Sequence, residues 1–261
     1  MIIMTGSPFD ITPLAGEYPE NSLERQLLHR MHESDERYIY ASVDTLKFEL
    51  GLRREIINAA VALNKSRFDF SVFHKSKSNP DYWERTPNGG FRMKESVKPG
   101  DAINDIFINS DQYATECATA MMIVYYKALL EMFGQDRFNS VFTQIYLMNW
   151  VITEPLLKEA GRLKKAEILP GDRGYFQNPE VNPVTPEWQG ENVIVLPDSR
   201  YYGHGIGIAT ADRIIRALNS NRKRDATISA YMLDTVGRPD FKKLEEAYRI
   251  HGGQAPDRIT A

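Results

Sequence analysis

Cysteine is nearly absent from this sequence, since Cys117 is the only one among 261 residues. A single thiol cannot form a disulfide within the chain, so no covalent cross-link stabilises the fold. The first ten residues, MIIMTGSPFD, have neither the basic region nor the long apolar stretch of a secretory signal peptide. Because a free thiol suits a reducing compartment, we expect an intracellular, cytoplasmic protein.

The sequence also lacks long apolar runs and any strong charge imbalance. Its longest apolar run, CATAMMIVYY, is far shorter than the roughly 20 residues that span a bilayer. The formal net charge is −3, and acidic and basic residues alternate along the chain. Such a chain produces no broad electrostatic field that would attract nucleic acid or an anionic membrane. We expect neither partner.

Several motifs that would indicate a cofactor or metal are missing. The sequence contains no P-loop, no GxSxG elbow, no HExxH pair and no EF-hand loop. The stretch GHGIGIAT precedes a helical pattern, but Ile208 or Thr210 stands where a dinucleotide-binding motif needs its third glycine. We therefore expect no cofactor and no metal ion.

The first half of the chain is predicted to be mainly helical. Residues from Asn21 onward, NSLERQLLHRMHES, have apolar side chains at helical spacing, and a long amphipathic helix is predicted from Ser42 to Asn64. FDFSVF is typical of a short strand and AINDIFINS of a short helix. Asn88-Gly89, between aromatic and β-prone residues, predicts a hairpin.

The second half changes from helix to strand. The helix that contains Cys117 should run to about Phe133 and end at Gly134. TQIYLMNW, GYFQN, ENVIVLP and YYGHGIGI are strand-like, and TADRIIRALNS predicts a helix capped by Thr210. Since no repeat or linker composition appears, we expect one domain over residues 1–261. The order of elements favours an α+β fold with a mostly antiparallel sheet.

Cys117 is the first candidate for chemistry. With Thr115 as the N-cap, Glu116 and Cys117 would be the first two helical residues, where free N–H groups stabilise a thiolate. With Ser110 as the N-cap, Cys117 would lie in the second turn and would only pack, as buried cysteines commonly do. The sequence pattern alone does not choose between a nucleophile and a packing residue.

A thiol nucleophile needs a base, and His204 differs from the other histidines. It lies between Gly203 and Gly205, which allow close approach of the backbone to other groups. A simple turn position explains His204 equally well. The remaining histidines have patterns typical of solvated side chains: His29, His32, His74 and His251.

Two carboxylates are further candidates. Glu191 begins an otherwise apolar strand, where burial would raise its pKa, although an exposed strand entry is the commoner situation. Glu116 adjoins Cys117, but neighbouring helical side chains point in different directions, so it is better interpreted as a flanking charge or second carboxylate.

Three stretches resemble the small transglutaminases of spore-forming bacilli, which are protein-glutamine gamma-glutamyltransferases: ECATAMMIVYYKALLEMFGQDRFN, YFQNPEVNPVTPEWQGENVIVL and YYGHGIGI. The resemblance extends from FELGLRREIINAAVALNKS to SAYMLDTVGR. The sequence departs from the family in its first thirty or so residues, in the stretch after Trp150 and in the tail after Asp240.

The resemblance implies a fold similar to a pared-down papain-like cysteine-peptidase core, with extra N-terminal helices and the cysteine at a helix N-terminus packed on the sheet. LPGDRGYFQN is also similar to a stretch of cell-wall cysteine peptidases that precedes a catalytic strand. By matching motifs, the family's nucleophile corresponds to Cys117, its carboxylate partner to Glu191, the preceding glutamate to Glu116 and its histidine to His204.

The resemblance also implies a calcium-independent reaction. Cys117 would form a thioester with a substrate glutamine and pass the acyl group to a lysine, which yields an isopeptide cross-link. The matching proteins are associated with the spore coat, so the implied substrates are spore-coat proteins with accessible glutamine and lysine. The implied location is the mother cell of a sporulating bacterium and then the coat itself.

Ordinary thiol and glutamate pKa values differ by about four units, so the environment must bring them together. We expect the helix N-terminus to lower the pKa of Cys117 and burial to raise that of Glu191.

The family also places aromatic residues around a passage to the thiol, and the matching positions are Phe70, Trp150, Tyr175 and Trp188. A thiol amidase or peptidase, or a non-catalytic coat component, is the alternative to a transglutaminase.

Overall fold

The computed structural model describes residues 1–149, 155–159, 163–164 and 168–251. Trp150 and much of the divergent stretch that follows it lie outside the described residues, as does the end of the chain after residue 251. Among the described helices, none is both long enough and apolar enough to cross a membrane.

The described helices agree with most of the sequence predictions. Ser22 and Ser42 cap the second and third helices by accepting hydrogen bonds from backbone N–H groups three residues ahead. Thr210 is the N-cap residue of the seventh helix, as predicted, but among the described residues its side chain makes no cap hydrogen bond. The helices are α1 Thr12–Gly16, α2 Leu23–Glu33, α3 Val43–Lys65, α4 Pro99–Ile108, α5 Cys117–Phe133, α6 Gln135–Val141, α7 Ala211–Asn219 and α8 Phe241–Ile250.

The strands are short, and the longest of them form one antiparallel sheet. They are β1 Ile2–Met4, β2 Ser7–Pro8, β3 Tyr38–Tyr40, β4 Asp69–Phe70, β5 Trp83–Arg85, β6 Phe91–Met93, β7 Ala114–Thr115, β8 Tyr146–Leu147, β9 Leu163–Lys164, β10 Arg173–Gln177, β11 Gly190–Val195, β12 Arg200–Gly203, β13 Gly207–Thr210, β14 Tyr231–Met232 and β15 Thr235–Val236. The central sheet has the order β13-β12-β11-β10-β14, and every neighbouring pair in it is antiparallel. The predicted α+β class and antiparallel sheet are therefore confirmed.

Turn glycines determine two of the hairpins. Gly89, with φ +94°, joins β5 to β6, which confirms the hairpin predicted at Asn88-Gly89. The YYGHGIGI stretch forms two strands, because Gly205 and Gly207 take φ values of +101° and +84° and reverse the chain. FDFSVF differs more from its prediction, since only Asp69–Phe70 pairs as a strand before a 3₁₀ turn begins.

Helix α5 is the centre of the main core. Apolar side chains cover most of its surface, and it packs against α3 on one side and against β11 of the central sheet on another. Phe241 and Tyr248 of α8 belong to the same core, although the sequence there departs from the family pattern. Because α5 is held on several sides, the position of its first residue, Cys117, is fixed relative to β11.

Candidate active site

The N-terminus of α5 is capped by Glu116, and Cys117 is its first residue. The Glu116 carboxylate accepts hydrogen bonds from the backbone N–H of Ala118 at 2.6 Å and of Thr119 at 2.7 Å, and from the Thr119 hydroxyl. Thr115 belongs instead to β7, so the predicted N-cap was one residue too early. The competing boundary at Ser110 is wrong, because Ser110 begins a separate 3₁₀ turn.

The Cys117 thiol lies against β11, where the side-chain amide of Asn192 donates a hydrogen bond to Sγ over 3.4 Å. Burial raises the pKa of Cys117 to about 12, with the negative charge of Glu191 acting in the same direction and the Asn192 amides opposing it. The predicted lowering is wrong. The Glu116 carboxylate accepts hydrogen bonds from N–H groups at the start of α5, so these groups do not stabilise a thiolate. The effect of burial on the pKa of Cys117 is larger than that of the remaining helix dipole.

Sequence reasoning missed Asn192. Successive side chains of a strand point to opposite faces, and Asn192 points to the face of β11 that packs on α5. The signal that the sequence carries is an amide residue next to Glu191 in an otherwise apolar strand.

Glu191 is buried, with 5% of its surface exposed, and within the described part of the chain its Oε1 has no hydrogen-bond partner. Burial, with the nearby charge of Glu116, raises the pKa of Glu191 well above that of an ordinary glutamate. This is the direction predicted from the sequence. A carboxyl group in this environment keeps its proton to a higher pH than an ordinary glutamate does.

Gly203 leaves space for the Glu191 side chain. A Cβ atom at Gly203 would lie 2.7 Å from Glu191 Oε1 and 2.8 Å from its Cγ, which is closer than real Cβ atoms come. We expect Gly203→Ala to displace the carboxyl group and to lower turnover by about 10- to 100-fold. Steady-state amine incorporation measures this effect.

The matched control for Gly203→Ala is Gly16→Ala, because a Cβ atom at Gly16 would meet nothing within 4 Å. Thermal unfolding separates a local effect from a loss of fold. Unchanged turnover in a folded Gly203→Ala variant would show that the position of Glu191 does not matter for the reaction.

His204 is buried but bonds elsewhere than the thiol. Its Nε2 lies 3.0 Å from the Asp69 carbonyl oxygen and its Nδ1 3.2 Å from the Tyr202 hydroxyl. Because a carbonyl oxygen only accepts, Nε2 carries the proton and Nδ1 accepts from Tyr202. The ring also stacks on Phe68, and burial lowers the pKa of His204 to about 4. His204 is therefore a neutral side chain with a structural role, because its two hydrogen bonds connect β12 to β4.

A cleft of about 990 Å³ opens above Cys117. Phe70 and Tyr175, both predicted as walls of a passage, line it. Trp188 is not among the described residues that line the cleft, and it packs on the apolar cluster of Phe176 and its neighbours. Trp150, the fourth predicted wall residue, lies outside the described residues. The other lining residues include both basic and acidic side chains: His74, Lys75, Glu116, Glu159, Arg173 and Glu187.

Comparison with known proteins identifies the family. A family model described as "Protein-glutamine gamma-glutamyltransferase" matches residues 1–248. Proteins of that name from Bacillus cereus (strain 03BB102) and Bacillus anthracis (strain CDC 684 / NRRL 3495) are each 43% identical over 234 residues, which cover 88% of this chain and 83% of theirs.

A solved transglutaminase from Geobacillus stearothermophilus, without its C-terminal extension, has a TM-score of 0.74 and 47% sequence identity. The match covers 78% of this chain and 97% of that structure. The family match, the named relatives and this solved structure together show an enzyme of the transferase class. The chain belongs to the protein-glutamine gamma-glutamyltransferase, or transglutaminase, family.

Proposed function

We propose that Cys117 is the nucleophile of acyl transfer from glutamine to lysine. Its sulfur attacks the γ-carboxamide carbon of a substrate glutamine, and a C–S bond forms as the C–N bond breaks. Ammonia leaves with the thiol proton, and a thioester remains on Cys117. A lysine ε-amine then attacks the thioester carbon, which forms an isopeptide bond and returns the sulfur as a thiol.

One observation carries this proposal, namely the position of the single thiol of the chain. Cys117 is the first residue of the central helix and lines the large cleft, where Asn192 donates to its sulfur. A side chain at that point is reachable from outside while its backbone is fixed by the core. Such placement is what a nucleophile needs to react with a group on another protein.

Glu191 supplies the proton transfers in this proposal. It accepts the thiol proton as sulfur attacks and gives it to the departing ammonia, and the lysine step repeats the transfers from the amine to the sulfur. The raised pKa of Glu191 supports this role, because it brings the carboxyl group toward the range in which it can exchange protons near neutral pH.

Glu116 has a positioning role in the proposal. Its carboxylate accepts hydrogen bonds from both Ala118 and Thr119, and these bonds fix the first turn of α5 around Cys117. The Thr119 hydroxyl in turn accepts a hydrogen bond of 2.7 Å from the backbone N–H of Asn149.

The catalytic function that the family motif implies for His204 is secondary, since both of its ring nitrogens already have partners.

The fold of this enzyme, we propose, is a pared-down papain-like core within one domain spanning residues 1–261. A cysteine at the start of a central helix that packs on an antiparallel sheet supports the first part. The family match over residues 1–248 and the packing of α8 on α3 and α5 support the second. Phe70 and Tyr175 would form walls that keep water from the thioester.

The reaction is proposed to be independent of calcium. The sequence has no EF-hand loop, and among the described residues no group of three or more His, Cys, Asp and Glu side chains is placed to bind one metal ion. We expect full joining of a fluorescent amine to a glutamine-containing protein, with release of ammonia, after exhaustive EDTA treatment. Loss of activity that calcium alone restores would contradict this prediction.

The same assay tests the function itself. A transglutaminase releases ammonia and incorporates the amine in equal amounts, whereas a thiol amidase or peptidase releases product without incorporating the amine. A matched reaction without the fluorescent amine measures the hydrolysis rate. Hydrolysis that the amine does not suppress would contradict the proposed transfer.

The substrates we propose are spore-coat proteins with accessible glutamine and lysine residues. The resemblance of the Cys117 and Glu191 motifs to the enzymes of spore-forming bacilli supports this, as do the Bacillus sources of the relatives. The enzyme would be made in the mother cell cytoplasm and become associated with the coat. Incubation of isolated coat proteins with the enzyme and a fluorescent amine would identify the labelled chains.

A further inference from the structure

We propose that Asn192 is a further catalytic residue, and that Arg173 and Glu159 are positioning residues that fix its amide toward the sulfur of Cys117. The inference rests on the proposed role of Cys117 as the nucleophile. Four side chains form the continuous series Glu159, Arg173, Asn192 and Cys117, in which each member contacts the next.

The orientation of the Asn192 amide follows from its two neighbours. Arg173 Nη1 lies 3.3 Å from Asn192 Oδ1, and a guanidinium group can only donate, so the oxygen of the amide must face Arg173. The Nδ2 group consequently faces Cys117 Sγ, 3.4 Å away. Rotation of the side-chain amide by half a turn would bring two donors together at Arg173 and would turn the amide oxygen, instead of Nδ2, toward the sulfur.

Arg173 is itself held firmly. Its Nε and Nη2 atoms donate to the two carboxylate oxygens of Glu159 over 2.5 and 2.8 Å, a bidentate geometry that fixes the plane of the guanidinium group. The backbone of Arg173 also exchanges hydrogen bonds of 2.8 and 2.9 Å with Gly237. A Cβ atom at Gly237 would lie 2.1 Å from Glu159 Oε2, so the glycine leaves the space that Glu159 occupies.

The hydrogen bond from Asn192 assists both steps of the reaction. A donated hydrogen bond stabilises the thiolate form of the sulfur over the thiol. In the first step this favours the attacking form of Cys117. In the second step the C–S bond breaks as the lysine amine attacks, and the same N–H group stabilises the leaving sulfur.

Two carboxylates near Cys117 act against the thiolate. Glu116 before α5 and Glu191 on β11 raise the pKa of the thiol by their negative charge. Tyr175 on β10 senses the charge of Cys117 in its own raised pKa, which burial mainly causes. His74, Lys75 and Glu187 also line the cleft. Asn192 is the side chain whose hydrogen bond to Sγ counters these effects.

For Glu159→Gln, the proposal predicts a change in the pKa of Cys117 that is opposite in sign to the change expected from direct electrostatics. Removal of a negative charge near a thiol lowers its pKa if the charge acts directly through space. Removal of the group that fixes Arg173 loosens the Asn192 amide, which raises the pKa of the thiol. The two mechanisms therefore predict opposite changes for Glu159→Gln.

The experiment measures alkylation of the folded protein by iodoacetamide across the neutral and alkaline range. Since Cys117 is the only cysteine, the rate reports the thiolate fraction of this one residue. We expect Asn192→Ala to slow alkylation at neutral pH by about tenfold, as loss of a hydrogen bond to a charged group does. Glu159→Gln and Arg173→Lys should slow it by a smaller factor and shift the profile in the same alkaline direction.

Glu17→Gln is the control for the change in charge, because Glu17 pairs with Lys47 on the surface and does not line the cleft. Its profile should equal that of the wild type. Faster or unchanged alkylation in Glu159→Gln, or an unchanged profile in Asn192→Ala, would overturn the proposal. Unaltered thermal unfolding of each variant shows that the folds are intact.

Alkylation does not require turnover, so this test is separate from the proposed function. Cross-linking that survives in Cys117→Ala would end the thioester mechanism, whereas the alkylation profiles would still show whether Asn192 and its two supporting residues control the thiol. If both hold, Asn192→Ala should also lower kcat for amine incorporation by about tenfold with little change in KM for the glutamine substrate.

Discussion

Cys117→Ala should abolish amine incorporation, leaving only the uncatalysed rate. The chain has no other thiol that could form the thioester, so a second route is not available. The fold should remain intact, because the thiol lines the cleft whereas the apolar side chains of α5 that follow it form the core. We expect a change in the free energy of unfolding of about 1 kcal/mol or less.

The measurement combines the fluorescent-amine assay with thermal unfolding of the purified variant. Cys117→Ser is the matched second variant, since it keeps a polar atom next to Asn192 but replaces the thiol by a far weaker nucleophile. It should be folded and nearly inactive. Amine incorporation near the wild-type rate in either variant would exclude the thioester mechanism.

Glu191→Gln is expected to have the second largest effect. The substitution keeps the shape of the protonated side chain but cannot exchange a proton with the thiol or the leaving ammonia. General acid–base catalysis contributes roughly 10² to 10⁴ in rate, and we expect a loss in that range. The buried, unpaired Oε1 of Glu191 means that no existing hydrogen bond to this atom is broken by the change.

His204→Asn is the comparison that assigns the base. His204 bonds to Asp69 and Tyr202, so its loss should lower stability more than turnover, with a smaller kinetic effect than Glu191→Gln. Turnover and thermal unfolding of both variants should be measured together. A larger kinetic loss for a folded His204→Asn variant than for Glu191→Gln would assign the base to the histidine.

The sequence predicted the elements that build the site. Apolar residues at helical spacing, followed by Gly134, defined α5 and its end, and the Asn88-Gly89 pair defined a hairpin. The alternation of strand-like runs and turn residues predicted the antiparallel sheet. These features follow from local conformational preferences and from the periodicity of apolar side chains, so they can be read without knowledge of distant contacts.

The identity of the residues also determined the chemistry that is possible. One thiol in the whole chain restricts covalent catalysis by sulfur to Cys117. For Glu191, the start of an apolar strand allowed either burial or exposure, and the structure shows the burial that raises its pKa. The resemblance of the surrounding motifs to transglutaminases added the reaction, and the family match agrees with it.

Only the tertiary structure decided which groups meet at the sulfur. Asn192 reaches Cys117 because β11 lies beside the start of α5 and its alternate residues face that helix, a relation between segments 75 residues apart. Glu116 caps α5, and the thiol is buried deeply enough for its pKa to rise instead of fall. The His204 ring forms hydrogen bonds with Tyr202 and Asp69 because the tertiary structure places these two groups beside it. Hydrogen bonds and desolvation depend on distances between remote parts of the chain, and packing alone sets those distances.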